Sequence, residues 1–190
     1  DCDWVVEVVV ENLKIKQSLF ANITPYLKET AILSSNTSGI PINMMTAEMD
    51  DSLKQRFLVT HFFNPVRYLK LLELIPGVET DPALMAFMKD FGENTLGKGV
   101  VHGKDTPNFI GNRIGTYGIA ATIKAMMDMD YQVDEVDAIT GPAMGHPSSA
   151  SFGTEDLVGL DVMAHVINTI KEGCPDDEER DLFTVPDFVK

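Results

Sequence analysis

The sequence predicts an α/β sheet up to about residue 104 and an all-helical segment from there to residue 190. As far as residue 102, short β-branched or apolar runs alternate with amphipathic stretches, which is typical of a sheet that is parallel in part. From Pro107 onward, apolar residues recur almost only at helical spacing. The apolar runs 57–62 and 70–75 are joined by a link too short for a helical crossover, so we expect them to pair antiparallel.

Periodicity, helix caps and turn residues predict where the helices and strands of the first part of the chain begin and end. Pro41 favours a short helix after the polar turn 36–39, because proline suits the first turn of a helix. Asp81 and Pro82 open a longer helix that ends at Gly97. We therefore expect main helices at 12–28 and 82–96, and strands at 3–10, 31–35, 57–62, 70–75 and 100–102.

Three helices are expected in the second part of the chain, at 107–130, 133–143 and 155–172. Thr154 would cap the third helix and Gly173 would end it. The first helix carries Gly111, Gly115 and Gly118 near one face, which either allows close approach of another helix or is simply tolerated.

Composition and charge exclude several classes of function. The 190 residues include 29 acidic and 15 basic ones, for a formal net charge of −14, and a chain this acidic is a poor binder of nucleic acid. No apolar run reaches the ~18 residues that a membrane-spanning helix needs. Cys2 and Cys174 make no disulfide framework, so we expect a cytoplasmic protein. His102, His146 and His165 lack metal-ligand spacing, and we expect no metal site.

A histidine and a glutamate on the two neighbouring apolar runs form a candidate catalytic pair. His61 ends the run 57–62 and Glu73 lies in the run 70–75. With a hairpin centred near residue 67, the two side chains would face each other across the strand pair. A carboxylate on one imidazole nitrogen fixes the tautomer, as a general base requires. On the residues alone, the pattern favours a hydrogen-bonded core histidine over a catalytic pair.

Other polar residues are weaker candidates. Ser38 and Asn36 follow a strand, where open α/β sheets bind ligands, although the same residues also make an ordinary turn. Asn112 lies early in the long helix and would either reach a ligand or make a structural bond between domains. The stretch 52–78 is basic and favours an anionic ligand, or is only a solvated face; its charged residues are Lys54, Arg56, Arg67, Lys70 and Glu73.

Five short motifs follow one another along nearly the whole chain. They are Glu11-Asn12-Leu13-Lys14-Ile15-Lys16, Ser35-Asn36-Thr37-Ser38, His61-Phe62-Phe63-Asn64-Pro65-Val66 with Lys70-Leu71-Leu72-Glu73, Asp105-Thr106-Pro107-Asn108-Phe109-Ile110-Gly111-Asn112-Arg113, and Asp156-Leu157-Val158-Gly159-Leu160-Asp161. Taken together and in this order, they resemble the motifs of the L-3-hydroxyacyl-CoA dehydrogenases.

The resemblance implies a set of catalytic roles. His61 would be the general base that takes the proton from the substrate 3-hydroxyl, and Glu73 would orient and support it. Ser38 and Asn112 would hydrogen-bond the substrate around the reacting oxygen and the thioester. The implied reaction is oxidation of (S)-3-hydroxyacyl-CoA to 3-oxoacyl-CoA with hydride transfer to NAD, a step of fatty-acid β-oxidation. Base and hydride acceptor must be aligned, because proton removal drives hydride departure.

The resemblance also implies a cofactor and partners. Glu11, Lys16, Ser38 and Asn64 would lie along NAD. The expected partners are an acyl-CoA substrate and a second copy of the chain, which would bind through the helical domain to form a homodimer.

One part of the family pattern is missing from this sequence. The glycine-rich GxGxxG turn is absent, and so is the acidic residue about 20 positions later that binds the adenosine ribose. The implied fold is therefore a Rossmann-like partial sheet over residues 1–104, the C-terminal half of an NAD-binding domain. A truncated helical substrate and dimerisation domain would follow over 105–190. Segment 141–154 looks like the large bacterial members, so we expect a piece of a longer multidomain protein.

Two alternatives stay open beside this interpretation. The first is a sibling dehydrogenase that acts on a free hydroxy acid or sugar acid with the same pair of residues. The second is a non-catalytic module, in which the helical part serves for dimerisation. We expect a protein limited to these 190 residues to bind NAD poorly and turn over little. The reason is that the helix after the missing turn supplies much of the pyrophosphate binding.

Overall fold

A mixed five-stranded sheet organises the first part of the chain. The computed structural model describes residues 2–187, and the chain divides between Ile110 and Gly111 into two units. The strands of the first unit lie side by side in chain order: β1 (Trp4–Glu7), β2 (Ile32–Ser35), β3 (Phe57–Phe62), β4 (Leu71–Pro76) and β5 (Gly99–His102). The first three are parallel, β4 is antiparallel to β3, and β5 is parallel to β4. The predicted hairpin is thus confirmed.

Capping residues decide where the helices of this unit begin. The Asn12 side chain accepts a hydrogen bond from the Ile15 amide at the start of the first helix, and Asp81 does the same for the Ala83 amide at the start of the fourth. Pro25 has no amide hydrogen for the helical ladder, so the helix predicted over 12–28 is shorter. The helices are α1 (Leu13–Ile23), α2 (Ile42–Met45), α3 (Asp51–Gln55) and α4 (Pro82–Asp90), with a 3-10 turn Thr24–Tyr26 and a π turn Phe91–Thr95.

The first strand is shorter than its apolar sequence predicts. We expected a strand over 3–10, but β1 ends at Glu7, and Val8, Val9 and Val10 are 72%, 39% and 64% exposed. The Glu7 carboxylate accepts a hydrogen bond from the Val9 amide at 2.6 Å, which turns the chain away from the sheet. Three valines therefore lie on the surface beside the carboxyl end of β1.

Alternating side chains of the central strands fill a core on each face of the sheet. One face carries Phe57 and Val59, and the helices α1 to α3 cover it with Phe20, Ile42, Met45 and Leu53. The opposite face carries Leu58, Leu72 and Leu74, packed with Met85 and Met88 of α4. Trp4 borders this second core, where its indole donates a hydrogen bond to the Ser34 hydroxyl at 2.9 Å. Strand alternation then places His61 on the same face as Val59.

The second unit is built from helices within its described residues. They are α5 (Gly111–Met129), α6 (Val133–Thr140), α7 (Phe152–Val158) and α8 (Leu160–Gly173), with 3-10 turns Pro142–Met144 and Arg180–Leu182. Ile119 and Ile123 of α5 pack against Ile167 and Ile170 of α8, and Phe183 completes this core. Among residues 2–187, none of the helices combines the length and hydropathy that crossing a bilayer requires.

The single helix predicted over 155–172 is wrong. The chain breaks at Gly159, whose φ of 106° is open to glycine and strained for other residues. Thr154 is not a cap but lies inside α7, where its hydroxyl donates to the Ala150 carbonyl at 2.5 Å. The long helix likewise begins at Gly111 rather than Pro107, since Asn108 takes a positive φ of 57°.

Gly115 and Gly118 of α5 give no close helix contact within the described residues. A Cβ added at Gly115 or Gly118 would meet no atom within 4 Å. Close approach of another helix to this face is therefore not seen inside the described chain.

We predict that Gly159→Ala lowers the free energy of unfolding of the helical unit by about 1–3 kcal/mol. The new methyl group would be 2.8 Å from the Asp161 carboxylate, on a backbone that alanine rarely adopts. Urea unfolding followed by far-UV circular dichroism measures the change. The matched control Gly115→Ala should be stabilising by about 0.5–1 kcal/mol, because its site is helical and open. Equal stability of the two variants would contradict the interpretation of Gly159.

Candidate active site

The carboxyl ends of three parallel strands meet at one edge of the sheet. Glu7 ends β1, Ser35 ends β2 and Phe62 ends β3. Parallel pairing places all three ends together, which is where open α/β sheets bind their ligands. We call this the catalytic edge.

His61 and Glu73 form a buried pair at the catalytic edge. They are register partners of β3 and β4, and His61 Nδ1 lies 2.6 Å from Glu73 Oε2. The Glu73 side chain has no exposed surface and that of His61 is 4% exposed. The other oxygen, Oε1, accepts a hydrogen bond from the Ile110 amide at 3.0 Å. With an ionised Glu73, the imidazole proton lies on Nδ1 and leaves Nε2 free to accept a proton.

The accepting nitrogen of His61 faces the turn after β2. Ser38 Oγ lies 3.2 Å from His61 Nε2. The rings of Phe63 and Phe109 pack edge-on against the imidazole, with centroids 4.6 Å and 5.6 Å away. The ring is thus held on three sides, and its reactive nitrogen is directed at a hydroxyl.

Asn36 has a structural part in this arrangement. Its side-chain oxygen accepts a hydrogen bond from the Phe62 amide at 2.9 Å. This bond ties the turn that carries Ser38 to the end of β3, next to His61. The side-chain oxygen of Asn36 is thereby engaged by a backbone amide.

A second polar cluster lies at the same edge and contains two of the predicted cofactor residues. Lys16 Nζ lies 2.8 Å from Glu7 Oε1 and 3.3 Å from Glu11 Oε2. Glu11 Oε1 accepts hydrogen bonds from the Thr37 hydroxyl at 2.5 Å and from the Ser38 amide at 2.9 Å. Glu11 and Lys16 are thus connected to the turn that carries Ser38.

The two remaining predicted site residues are Asn64 and Asn112. Asn64 is exposed in the loop after β3, where a cis peptide bond joins it to Pro65. Asn112 is the second residue of α5 and belongs to the second unit. The structure brings together His61, Glu73, Ser38, Glu11 and Lys16, and the roles of all seven residues stay predictions.

Comparison with known proteins identifies the family. Residues 1–106 match the family model described as 3-hydroxyacyl-CoA dehydrogenase, NAD binding domain, and residues 109–190 match 3-hydroxyacyl-CoA dehydrogenase, C-terminal domain. The chain belongs to the 3-hydroxyacyl-CoA dehydrogenase family. The resemblance drawn from the five motifs is confirmed, and so is the order of an NAD-binding domain followed by a helical domain. The domain boundary that we predict after residue 104 lies just ahead of the break between the two family models.

Several relatives of this chain are much longer than it is. A probable 3-hydroxyacyl-CoA dehydrogenase of Bacillus subtilis is 54% identical over 100% of the chain but only 24% of the relative. One of Deinococcus radiodurans is 45% identical over 100% of the chain and 54% of the relative. The crystal structure of M. tuberculosis FadB2 superposes with a TM-score of 0.86 at 31% identity, covering 100% of this chain and 64% of that one. The chain thus spans about a quarter to a half of these curated dehydrogenases.

The basic stretch 52–78 does not form one surface. Arg56 lies at the start of β3, where its guanidinium donates to the Ala31 carbonyl at 2.5 Å, and Lys54 pairs with Asp51 at 3.8 Å. Arg67 lies in the loop at the opposite end of β3. Lys54 and Arg56 are therefore separated from the catalytic edge by the length of β3, and binding of an anionic ligand by this stretch stays a prediction.

Sequence reasoning missed two buried or partly buried carboxylates. Glu7 lies within the apolar run 3–10, where a buried charge requires a partner, and Lys16 is the partner. Asp105 accepts a hydrogen bond from the Ile42 amide at 3.0 Å. Burial raises the pKa of Asp105 above its usual value, and that hydrogen bond opposes the shift.

We predict that Glu73→Gln lowers the free energy of unfolding by about 1–3 kcal/mol and disturbs the His61 tautomer. The amide offers one acceptor oxygen where the carboxylate serves two donors, His61 and the Ile110 amide. Urea unfolding measures the first effect and nitrogen-15 NMR of the imidazole the second. Glu93→Gln, at an exposed site, should change stability by less than about 0.5 kcal/mol. A wild-type tautomer in Glu73→Gln would contradict the orienting role.

Proposed function

We propose that the whole protein oxidises (S)-3-hydroxyacyl-CoA to 3-oxoacyl-CoA with NAD, as a step of fatty-acid β-oxidation. The observation that carries this proposal is the buried His61–Glu73 pair at the catalytic edge, with Ser38 Oγ beside His61 Nε2. The chain that holds this pair matches both family domains. The family match supports the substrate class, since the matching models and relatives are named for 3-hydroxyacyl-CoA.

In the proposed mechanism His61 acts as the general base. Nε2 takes the proton of the 3-hydroxyl while the C3–H bond breaks and the carbon–oxygen double bond forms. Glu73, against Nδ1, stabilises the imidazolium that results and keeps the ring from rotating. Ser38 lies close enough to Nε2 to share a substrate oxygen with it. NAD, when bound, supplies the acceptor for the hydride that leaves C3.

The residues of the catalytic edge fit a dinucleotide. Glu11 follows the end of β1 and keeps 35% of its side chain exposed, and a carboxylate in that position is suited to ribose hydroxyls. Val8 and Val10 are exposed apolar side chains beside it, which suits the flat face of a base or nicotinamide ring. We propose that Glu11, Lys16, Ser38 and Asn64 lie along NAD.

We propose that Asn112 of the second unit hydrogen-bonds the substrate near the thioester, as the family resemblance implies. An acyl-CoA carries several phosphate charges, and Arg67 and Lys70 are exposed cations in the loop that joins β3 to β4. Their position supports a coenzyme A thioester over a free hydroxy acid as substrate.

We propose that the helical unit forms a homodimer. Large apolar side chains are exposed on it, among them Ile114, Met129 and Leu157, at 69%, 65% and 79%. Exposed apolar surface of this kind favours association with a partner surface. Sedimentation of the whole protein measures the oligomeric state.

We predict that His61→Ala lowers kcat for (S)-3-hydroxyacyl-CoA oxidation by about 10²–10⁴-fold, because the general base is removed. The assay follows NADH formation by the whole natural gene product that contains this chain, since we propose that residues 1–190 alone bind NAD weakly. Sedimentation should find the same oligomer in the variant and in the wild type.

His165→Ala is the control, because His165 is exposed on α8 in the other unit. It should keep wild-type kcat. A wild-type protein that forms the dimer but no NADH would favour the non-catalytic dimerisation module. Equal rates with the thioester and the free 3-hydroxy acid would favour a sibling dehydrogenase.

A further inference from the structure

Glu7 is a fully buried carboxylate that the proposed mechanism does not use. Its side chain has no exposed surface, although it ends a strand at the catalytic edge. A buried charge is stable only when its partners satisfy it, and each of its oxygens has such partners. The identity of those partners shows what the carboxylate holds in place.

One set of contacts runs from Glu7 through the cofactor residues to the turn that carries Ser38. Lys16 Nζ donates to Glu7 at 2.8 Å and 2.9 Å and is paired with Glu11 at 3.3 Å. The Lys16 side chain is only 1% exposed. Glu11 in turn accepts hydrogen bonds from the Thr37 hydroxyl and the Ser38 amide. The position of Glu11, and through it of Ser38, therefore depends on where Lys16 is held.

A second set of contacts runs from Glu7 to the same turn by a shorter route. The Ser35 hydroxyl donates to Glu7 Oε2 and accepts a hydrogen bond from the Thr37 amide at 3.1 Å. The two routes close a ring, which we call the Glu7 ring, made of Glu7, Lys16, Glu11, Thr37 and Ser35. The turn is held from both sides, and Glu7 is the residue at which the two routes meet.

The charges of the Glu7 ring explain why a carboxylate is needed at this position. One ammonium group lies between two carboxylates, and Glu7 is the more deeply buried of the two. Lys16 donates to both oxygens of Glu7, and an ammonium group has no acceptor for the N–H group of an amide in that place. Glu7→Gln would therefore weaken the Lys16 route, by the loss of one acceptor and of the negative charge, while the volume of the side chain stays the same.

We propose that Glu7 is a positioning residue that sets Ser38 against His61 through the Glu7 ring. The inference rests on the proposed function for its effect on catalysis. Ser38 Oγ lies 3.2 Å from His61 Nε2, so a shift of the turn alters the contact at which the proton is transferred. Misplacement by about 1 Å is enough to lower a rate by about 10²-fold.

The first test is Glu7→Gln in the whole protein. We expect kcat to fall by about 10–100-fold, as for a misaligned catalytic group, whereas KM for the acyl-CoA changes by less than about threefold. The KM should hold because no residue of the Glu7 ring is among those that we propose to bind the coenzyme A part. An unchanged kcat in a folded, NAD-saturated variant would overturn the proposal.

Asp3→Asn is the matched control. It also removes a carboxylate next to β1, but at the opposite end of the strand, where Asp3 pairs with Lys28 at 2.9 Å. The Asp3 side chain is 89% exposed. This variant should keep kcat and KM, and a loss equal to that of Glu7→Gln would mean that any change near β1 disturbs the enzyme.

A milder variant covers the case in which Glu7→Gln does not fold. Ser35→Ala breaks only the shorter route and leaves the Lys16 contacts in place. It should lower kcat by a smaller factor than Glu7→Gln. Where both fold, the double variant should lose less than the two single losses combined, because Ser35 acts through the same carboxylate. Full additivity of the two losses, or a wild-type kcat in Ser35→Ala, would overturn the shared route.

A readout without turnover separates this inference from the proposed function. The nitrogen-15 NMR signal of His61 Nε2, assigned by its loss in His61→Gln, reports the contact with Ser38. We expect it to shift in Glu7→Gln and to stay in Asp3→Asn. A shifted signal in a protein with no dehydrogenase activity would refute the proposed function and leave the positioning role standing. An unshifted signal would refute the positioning role even in an active enzyme.

Discussion

The buried contact between Glu73 and His61 is the constraint on which the rest of the catalytic edge depends. A carboxylate without exposed surface needs donors on its oxygens, and here the imidazole and the Ile110 amide supply them. Both side chains reach this contact only because β4 returns antiparallel beside β3 in the observed register. A slip by one residue would turn one of the two side chains to the other face of the sheet. The register of the hairpin is thus a requirement of the proposed chemistry as well as of the sheet.

The two hydrophobic cores make that register rigid. Val59 and Ile75 fill one face beside the catalytic pair, and Leu58 and Leu74 fill the other. Alternation along the strands then continues from apolar residues to His61 at the point where β3 meets the loops. His61 thus continues an alternating pattern whose preceding positions are apolar and packed. The packed strands therefore orient the side chains of the polar site before any ligand binds.

Much of this arrangement follows from the sequence, and the rest depends on geometry that sequence patterns do not carry. The bounds of β3 and the pairing of His61 with Glu73 come from apolar periodicity and loop length, which are local. The Glu7 ring joins residues up to 30 positions apart, and no spacing rule connects them. The valines after β1 have the composition of a buried strand, yet they lie on the surface. Only the turn that the Glu7 carboxylate fixes takes them out of the sheet. The break at Gly159 was hidden because glycine is also tolerated inside helices.

The place of Trp4 has a spectroscopic consequence. It is the single tryptophan of the sequence, and it lies three residues before Glu7 on β1, with its indole on Ser34 and its ring 5.8 Å from that of Phe91. Indole fluorescence of this chain therefore comes from the sheet alone. The helical unit contains no tryptophan, so a change in indole emission reports on the first unit and not on the helical one.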